Sequence, residues 1–250
     1  MLADKPKGTI TNISELVKAL SNDFRASREE IWYRGHADIK WLLVPSIFRN
    51  RKTTENKLLK EFQKDATLLV DNRPTHEYEW LFIMRHYFVP SRLLDWTENL
   101  LIALYFAVNH EAKKKNLDGA LWILKPRALN RQQELTLQDP TTLPSFAQDD
   151  ALGAYTPESY YKSGNVNSKP LAIIAPRNTY RMRAQQSVFT ISVNDSEIDK
   201  IGKKNYAWYY KIPKESKKII LKELEMLGIK KEVLFPELET IGKRVRDLVK

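Results

Sequence analysis

Arg34 lies in the run Trp32-Tyr33-Arg34-Gly35-His36, which reads as a short aromatic strand stopped by glycine. At a strand end, its planar fork can hold a phosphate or carboxylate through two parallel bonds. Gly35 has no Cβ and would let a ligand approach the backbone, with His36 beside it. The same position also suits an Arg paired with a buried carboxylate such as Asp95. A second group joins Arg85-His86-Tyr87 to Arg92-Leu93-Leu94-Asp95-Trp96-Thr97. Here Asp95 or Thr97 can cap the following helix or contact a ligand at its amino terminus, where the helix dipole favours anions. His86, with an ordinary pKa of about 6.5, can act as acid or base, or simply hold a hydrogen bond. In the third group, Arg181 to Phe189, two arginines and two glutamines enter a strand. The Gln185 amide can orient a ribose or base edge, or the group can form the polar face of an edge strand. Arg92 and Arg181 complete the anion-binding candidates.

Composition narrows the chemistry. The 250 residues carry 41 Lys+Arg against 31 Asp+Glu, a formal net charge of +10, which favours polyanion partners. Cysteine is absent, excluding disulfides, thiolate nucleophiles and cysteine-based zinc sites. The histidines His36, His76, His86 and His110 form no HExxH, and no metal site is expected. The eight glycines form neither GxGxxG nor GxxxxGK[ST], and GxSxG is also absent. No apolar run reaches the ~18 residues needed to cross a bilayer. Residues 1–11 are polar without an apolar h-region, so a cytoplasmic protein is expected.

The elements that must carry these groups follow from periodicity. Helices are expected over residues 13–20, 54–69, 76–86, 99–114 and 213–227, the last closed by Gly228. Strands are expected over 30–35, 120–124, 171–174 and 186–193, and residues 89–97 run from a turn into a strand. Residues 126–170 hold five prolines among Thr, Gln and Asp and read as a long irregular insert. Residues 211–250 read as a basic, helical carboxy-terminal segment. Its interspersed Glu residues make a solvated face the simpler reading than a nucleic-acid patch. Interleaved helices and short, scattered strands give an α+β single domain spanning 1–250.

The chain resembles the FRG domain family, named for a Phe-Arg-Gly motif in which Tyr33 here stands for Phe. The resemblance rests on Trp32-Tyr33-Arg34-Gly35-His36, Trp41 and Pro45-Ser46-Ile47-Phe48-Arg49. It continues through His86-Tyr87, Arg92-Leu93-Leu94-Asp95-Trp96-Thr97, Ala103-Leu104-Tyr105-Phe106-Ala107, and Asp118-Gly119-Ala120-Leu121-Trp122. Later matches lie at Arg181-Met182, Gln185, Phe189-Thr190 and 227–238, so it spans roughly 10–238. Departures are Arg85 for a usual Gln, Phe88 for Gly, Ser91 for Thr, Leu100 for Pro and Ser187 for Gly.

The motif order is also similar, more weakly, to that of ADP-ribosyltransferase folds. That similarity implies NAD as substrate, held by Arg34 in a cleft with His36, Thr97 and Gln185, and no metal. Gln185 would stand where a catalytic Glu is usual; a Gln can bond a ribose hydroxyl but carries no charge, leaving Asp95 to supply the carboxylate. The implied activity is transfer of ADP-ribose to a protein or nucleic-acid acceptor, suited to bacterial or phage conflict. The alternatives are a non-catalytic module that binds a nucleotide or nucleic acid, and a scaffold acting through the insert.

Overall fold

The computed structural model describes residues 5–24, 29–49, 52–70, 73–109, 116–131, 142–146, 150–163, 169–195, 198 and 206–249. In chain order the elements are α1 (Ile13–Phe24), β1 (Trp32–His36), α2 (Ser46–Arg49), α3 (Glu55–Ala66), α4 (Glu77–His86), β2 (Leu93–Thr97) and α5 (Leu100–Val108). There follow β3 (Gly119–Leu124), α6 (Pro126–Arg131), α7 (Pro157–Ser163), β4 (Leu171–Ile173), α8 (Tyr180–Ala184) and β5 (Ser187–Ile191). Last come β6 (Ala207–Ile212), α9 (Lys217–Met226), α10 (Lys231–Leu234) and α11 (Leu238–Arg246).

Six strands form one sheet in the order β4-β5-β2-β1-β3-β6, and every pair is antiparallel. This is the expected α+β class. All six residues of β3 are buried, because both faces of the sheet are covered. On one face Leu121 and Ile123 meet α1, α5 and α9 through Leu16, Ile102, Ile220 and Leu224. On the same face, toward β4, Leu93, Phe189 and Ile191 pack against Leu59 of α3 and Trp80, Phe82 and Met84 of α4. The opposite face gathers Trp32, Leu94, Trp96, Trp122 and Val188 under Leu43, Leu129 and Ile198.

Helix α5 is apolar almost throughout because it lies between the sheet and α9. Asn99 caps it, its side-chain oxygen accepting from the N–H groups of Leu101 (2.9 Å) and Ile102 (3.3 Å). The cap roles considered for Asp95 and Thr97 are therefore not used. The helix approaches β1 so closely that a Cβ on Gly35 would lie 2.0 Å from the Ala103 carbonyl oxygen.

Three expectations change. The stretch 126–170 is not wholly irregular: its described residues include α6, a 3₁₀ turn over Asp150–Tyr155 and α7, with Leu129, Leu143, Leu152 and Tyr155 buried. Its remaining residues, like His110, lie outside the described set. The segment Tyr180–Ala184 is a short helix rather than the start of a strand. Thr179 caps it by accepting from the Met182 N–H, and the strand begins only at Ser187. The strand β6, missed in the sequence, reaches Lys211 and Ile212, so the carboxy-terminal helices begin only at Lys217. No helix among the described residues is long and apolar enough to cross a membrane.

Candidate functional site

The site is a gap between the two central strands. Strands β1 and β3 pair over five residues, whereas β1 and β2 pair only at Tyr33 and Thr97. Beyond that point the backbones splay, and the carbonyl of Asp95 loses its ladder partner on the β1 side. The Arg34 guanidinium reaches across and donates to that carbonyl through Nη1, satisfying a group that is costly to leave unpaired. Nη1 also lies 3.6 Å from the Asp95 carboxylate. Arg85, from the last turn of α4, grips the same carboxylate, with Nε 2.9 and 2.8 Å from its two oxygens and Nη2 2.7 Å from Oδ2.

Two guanidiniums thus share one carboxylate, and the consequences are electrostatic. Burial pushes the Asp95 carboxyl up, but the charges of Arg85 and then Arg34 outweigh it and hold the group below its usual value. Burial, together with the neighbouring charges of Arg85 and Arg49, lowers Arg34 to about 10 despite Asp95. Arg49 is likewise lowered by burial and by Arg85. The cluster carries more positive than negative charge.

A cavity of about 270 Å³ opens over this cluster, with Arg34, Arg85, Arg181 and Asp95 as its charged lining. Aromatic rings form much of the rest, including Tyr33, Phe88, Phe106 and Phe235. Arg181 of α8 donates to Glu237 from Nε (2.5 Å) and to the His86 carbonyl from Nη1 (2.7 Å). Its guanidinium carbon lies 4.9 Å from the Phe88 ring centre and 5.3 Å from that of Phe235, a cation held near two π-faces. His86 shares a hydrogen bond with Thr179 Oγ1 through Nδ1 (3.1 Å). Burial and the Arg181 charge lower its pKa, so the ring is neutral at pH 7.

Residues 29–116 match the family model of the FRG domain. The chain carries an FRG domain. No curated protein and no solved structure matches it, and nothing in these comparisons extends to the ADP-ribosyltransferase folds. The FRG match runs from before β1 to beyond α5, supplying Arg34, Arg85 and Asp95; Arg181 and Gln185 lie outside it.

Several candidate residues take roles other than those expected. His36 is 1% exposed and does not line the cavity. Its Nε2 accepts from Arg34 Nε (2.9 Å), which requires the Nδ1–H tautomer. Burial and the charge of Arg34 hold it well below its ordinary pKa. His36 is therefore a neutral prop behind Arg34. Gly35 borders the cavity, and its missing Cβ also makes room for the α5 backbone. Thr97 Oγ1 donates to the Gln185 carbonyl (2.7 Å) and accepts from the Asn99 N–H (3.0 Å), tying β2 to α8 and α5. Gln185 borders the cavity as the cap of α8, but its side-chain amide donates to the Leu234 carbonyl (3.0 Å). That bond braces α8 against α10.

Arg92 is the clearest correction. It is completely buried, away from the cavity, with Nε 2.9 Å from Glu55 and its guanidinium carbon 4.0 Å from the Tyr160 ring centre. The residues missed in the sequence were Arg85 as the partner of Asp95, Phe88, Phe106 and Phe235. The departure at Arg85 was the available signal, since a cation in place of an amide needs a counter-charge.

Asp95 also sets a pH dependence. Its depressed pKa means that its pairing stabilises the fold in full above the ordinary carboxylate range of about 4, and that this is lost as pH falls through the depressed value. Replacing Arg85 by Gln removes the larger counter-charge. Urea melts should show Arg85→Gln less stable than wild type at pH 7, with the difference shrinking in acid. A difference that stays constant from pH 7 to pH 3 would mean that the pair does not couple to stability.

Among the described residues, no cluster of three or more His, Cys, Asp or Glu side chains could hold a metal ion.

Proposed function

We propose that this cleft, built partly from the FRG domain, binds a nucleotide through its phosphates, with NAD as the ligand. The observation that carries this reading is the charge of the lining: three arginines face one carboxylate, Asp95, among aromatic rings. Glu237 offsets Arg181 from outside the cavity, while Arg34 and Arg85 still share a single counter-ion. An anion entering there would relieve repulsion between buried guanidiniums, and the rings offer stacking faces for a base. The net charge of +10 suits a polyanionic environment around the site.

Transfer of ADP-ribose to a protein or nucleic-acid acceptor is the second reading, and Asp95 favours it. This carboxylate stays charged at neutral pH and borders the cavity, where it could face the electron-poor ribose carbon as nicotinamide leaves. Gln185 cannot supply that charge.

The test combines calorimetry with NAD and an assay of nicotinamide release. Wild type should bind NAD, more weakly as salt rises. Arg34→Lys keeps the charge but loses the fork, and should bind at least about tenfold more weakly, or about 1.4 kcal/mol, with an unchanged circular dichroism spectrum. Binding without nicotinamide release would leave a binding module. Absence of NAD binding at low salt would overturn the proposal.

A further inference from the structure

The same turn closes two helices of this chain with different residues. After α9, the Ile229 N–H donates to the Leu224 carbonyl (2.9 Å) and the Gly228 N–H to the Glu225 carbonyl (3.1 Å). After α4, the Val89 N–H donates to the Met84 carbonyl (2.9 Å) and the Phe88 N–H to the Arg85 carbonyl (3.2 Å). Both are Schellman turns, which place the residue after the cap in the left-handed region. Gly228 has φ 82° and Phe88 has φ 63°. Glycine meets that requirement without strain, whereas a bulky side chain there is an outlier.

Packing does not hold Phe88 in place. It is 68% exposed, although it borders the cavity. Its ring adjoins the Arg181 guanidinium, which has Phe235 as its other aromatic neighbour and is fixed by Glu237 and the His86 carbonyl. A strained, exposed aromatic at the border of a charged cleft fits a binding role better than a folding one. Resting on the nucleotide reading above, we infer that Phe88 is a specificity residue, supplying a stacking face for the planar base of the ligand while the arginines take its phosphate. Arg181 orients the ring from behind. The cleft should then discriminate between phosphates with and without a base.

The experiment compares AMP with ribose 5-phosphate, which share sugar and phosphate, on wild type, Phe88→Gly and Phe88→Trp. Wild type should prefer AMP. Phe88→Gly should reduce the ratio of AMP to ribose 5-phosphate affinity about tenfold, the scale of one stacked base, and melt no lower than wild type because the strain is gone. Phe88→Trp should keep the ratio. An unchanged ratio in Phe88→Gly, or an equal loss for both ligands, would overturn the assignment while leaving the nucleotide reading intact. Failure of wild type to bind AMP, NAD or ribose 5-phosphate would remove that reading and this proposal together.

Discussion

Gly35→Ala is expected to abolish cooperative folding. The added Cβ would sit 2.0 Å from the Ala103 carbonyl oxygen, 2.5 Å from the Ala107 nitrogen and 2.9 Å from the Phe106 carbonyl carbon. All three are backbone atoms of α5, so no rotamer change relieves the clash. The helix would have to lift from β1, and its own buried residues Ile102, Ala103, Leu104 and Ala107 would lose their packing. Overpacking a core usually costs about 1–3 kcal/mol; a clash with rigid backbone at the centre of the fold should exceed that. It would consume much of a typical stability of about 5–15 kcal/mol. Thermal melting should show no cooperative transition, and soluble yield should fall. Gly153→Ala is the control, since its Cβ would meet nothing within 4 Å. A Gly35→Ala variant that melts like wild type but loses NAD binding would restore the expectation that this glycine serves ligand approach.

The second large effect concerns Arg92. Its guanidinium and the Glu55 carboxylate form an ion pair with 0% and 2% side-chain exposure. Glu55 also accepts from the Arg92 backbone N–H (2.7 Å) and the Tyr161 hydroxyl (3.1 Å). One carboxylate thereby joins α3, α7 and the residue before β2. Arg92→Met leaves that carboxylate buried without its cation, and removing one partner of a buried pair costs about 3–5 kcal/mol. Urea melts should show this loss, and Glu55→Gln combined with Arg92→Met should recover part of it, since the stranded charge is then gone. Ligand affinity of whatever folded protein remains should not change, because Arg92 does not line the cavity. Selective loss of binding at wild-type stability would return Arg92 to the ligand site.

Both cases turn on what a local pattern encodes. The helical stripe over 54–69, the uninterrupted apolar helix after Asn99 and the alternation in Gln186 to Val193 each announce an element, because burial on one face or on both leaves a periodic trace. These traces gave the α+β class and most element positions. Tyr180 to Ala184 was misread because five residues carry too little periodicity. The strand AWYYKI went unnoticed although its aromatics are strong strand formers; nothing nearby marked where it began.

The sequence by itself determined which charged residues needed a reason, since Arg34 and Arg181, which could bind an anion, and Asp95, which could pair with a cation, sit among apolar and aromatic neighbours. It also marked Arg85 as a cation in an unusual place. Only the tertiary structure decided their roles. A guanidinium is the same group whether it faces a buried glutamate or an open cleft, and the partner is chosen by elements far apart in the chain. Arg92 and Glu55 are separated by 37 positions, and Arg181 and Glu237 by 56. The cleft itself opens where the two central strands, β1 and β2, pair only at Tyr33 and Thr97. No local run of residues records that geometry, because it belongs to contacts between elements rather than to any one of them.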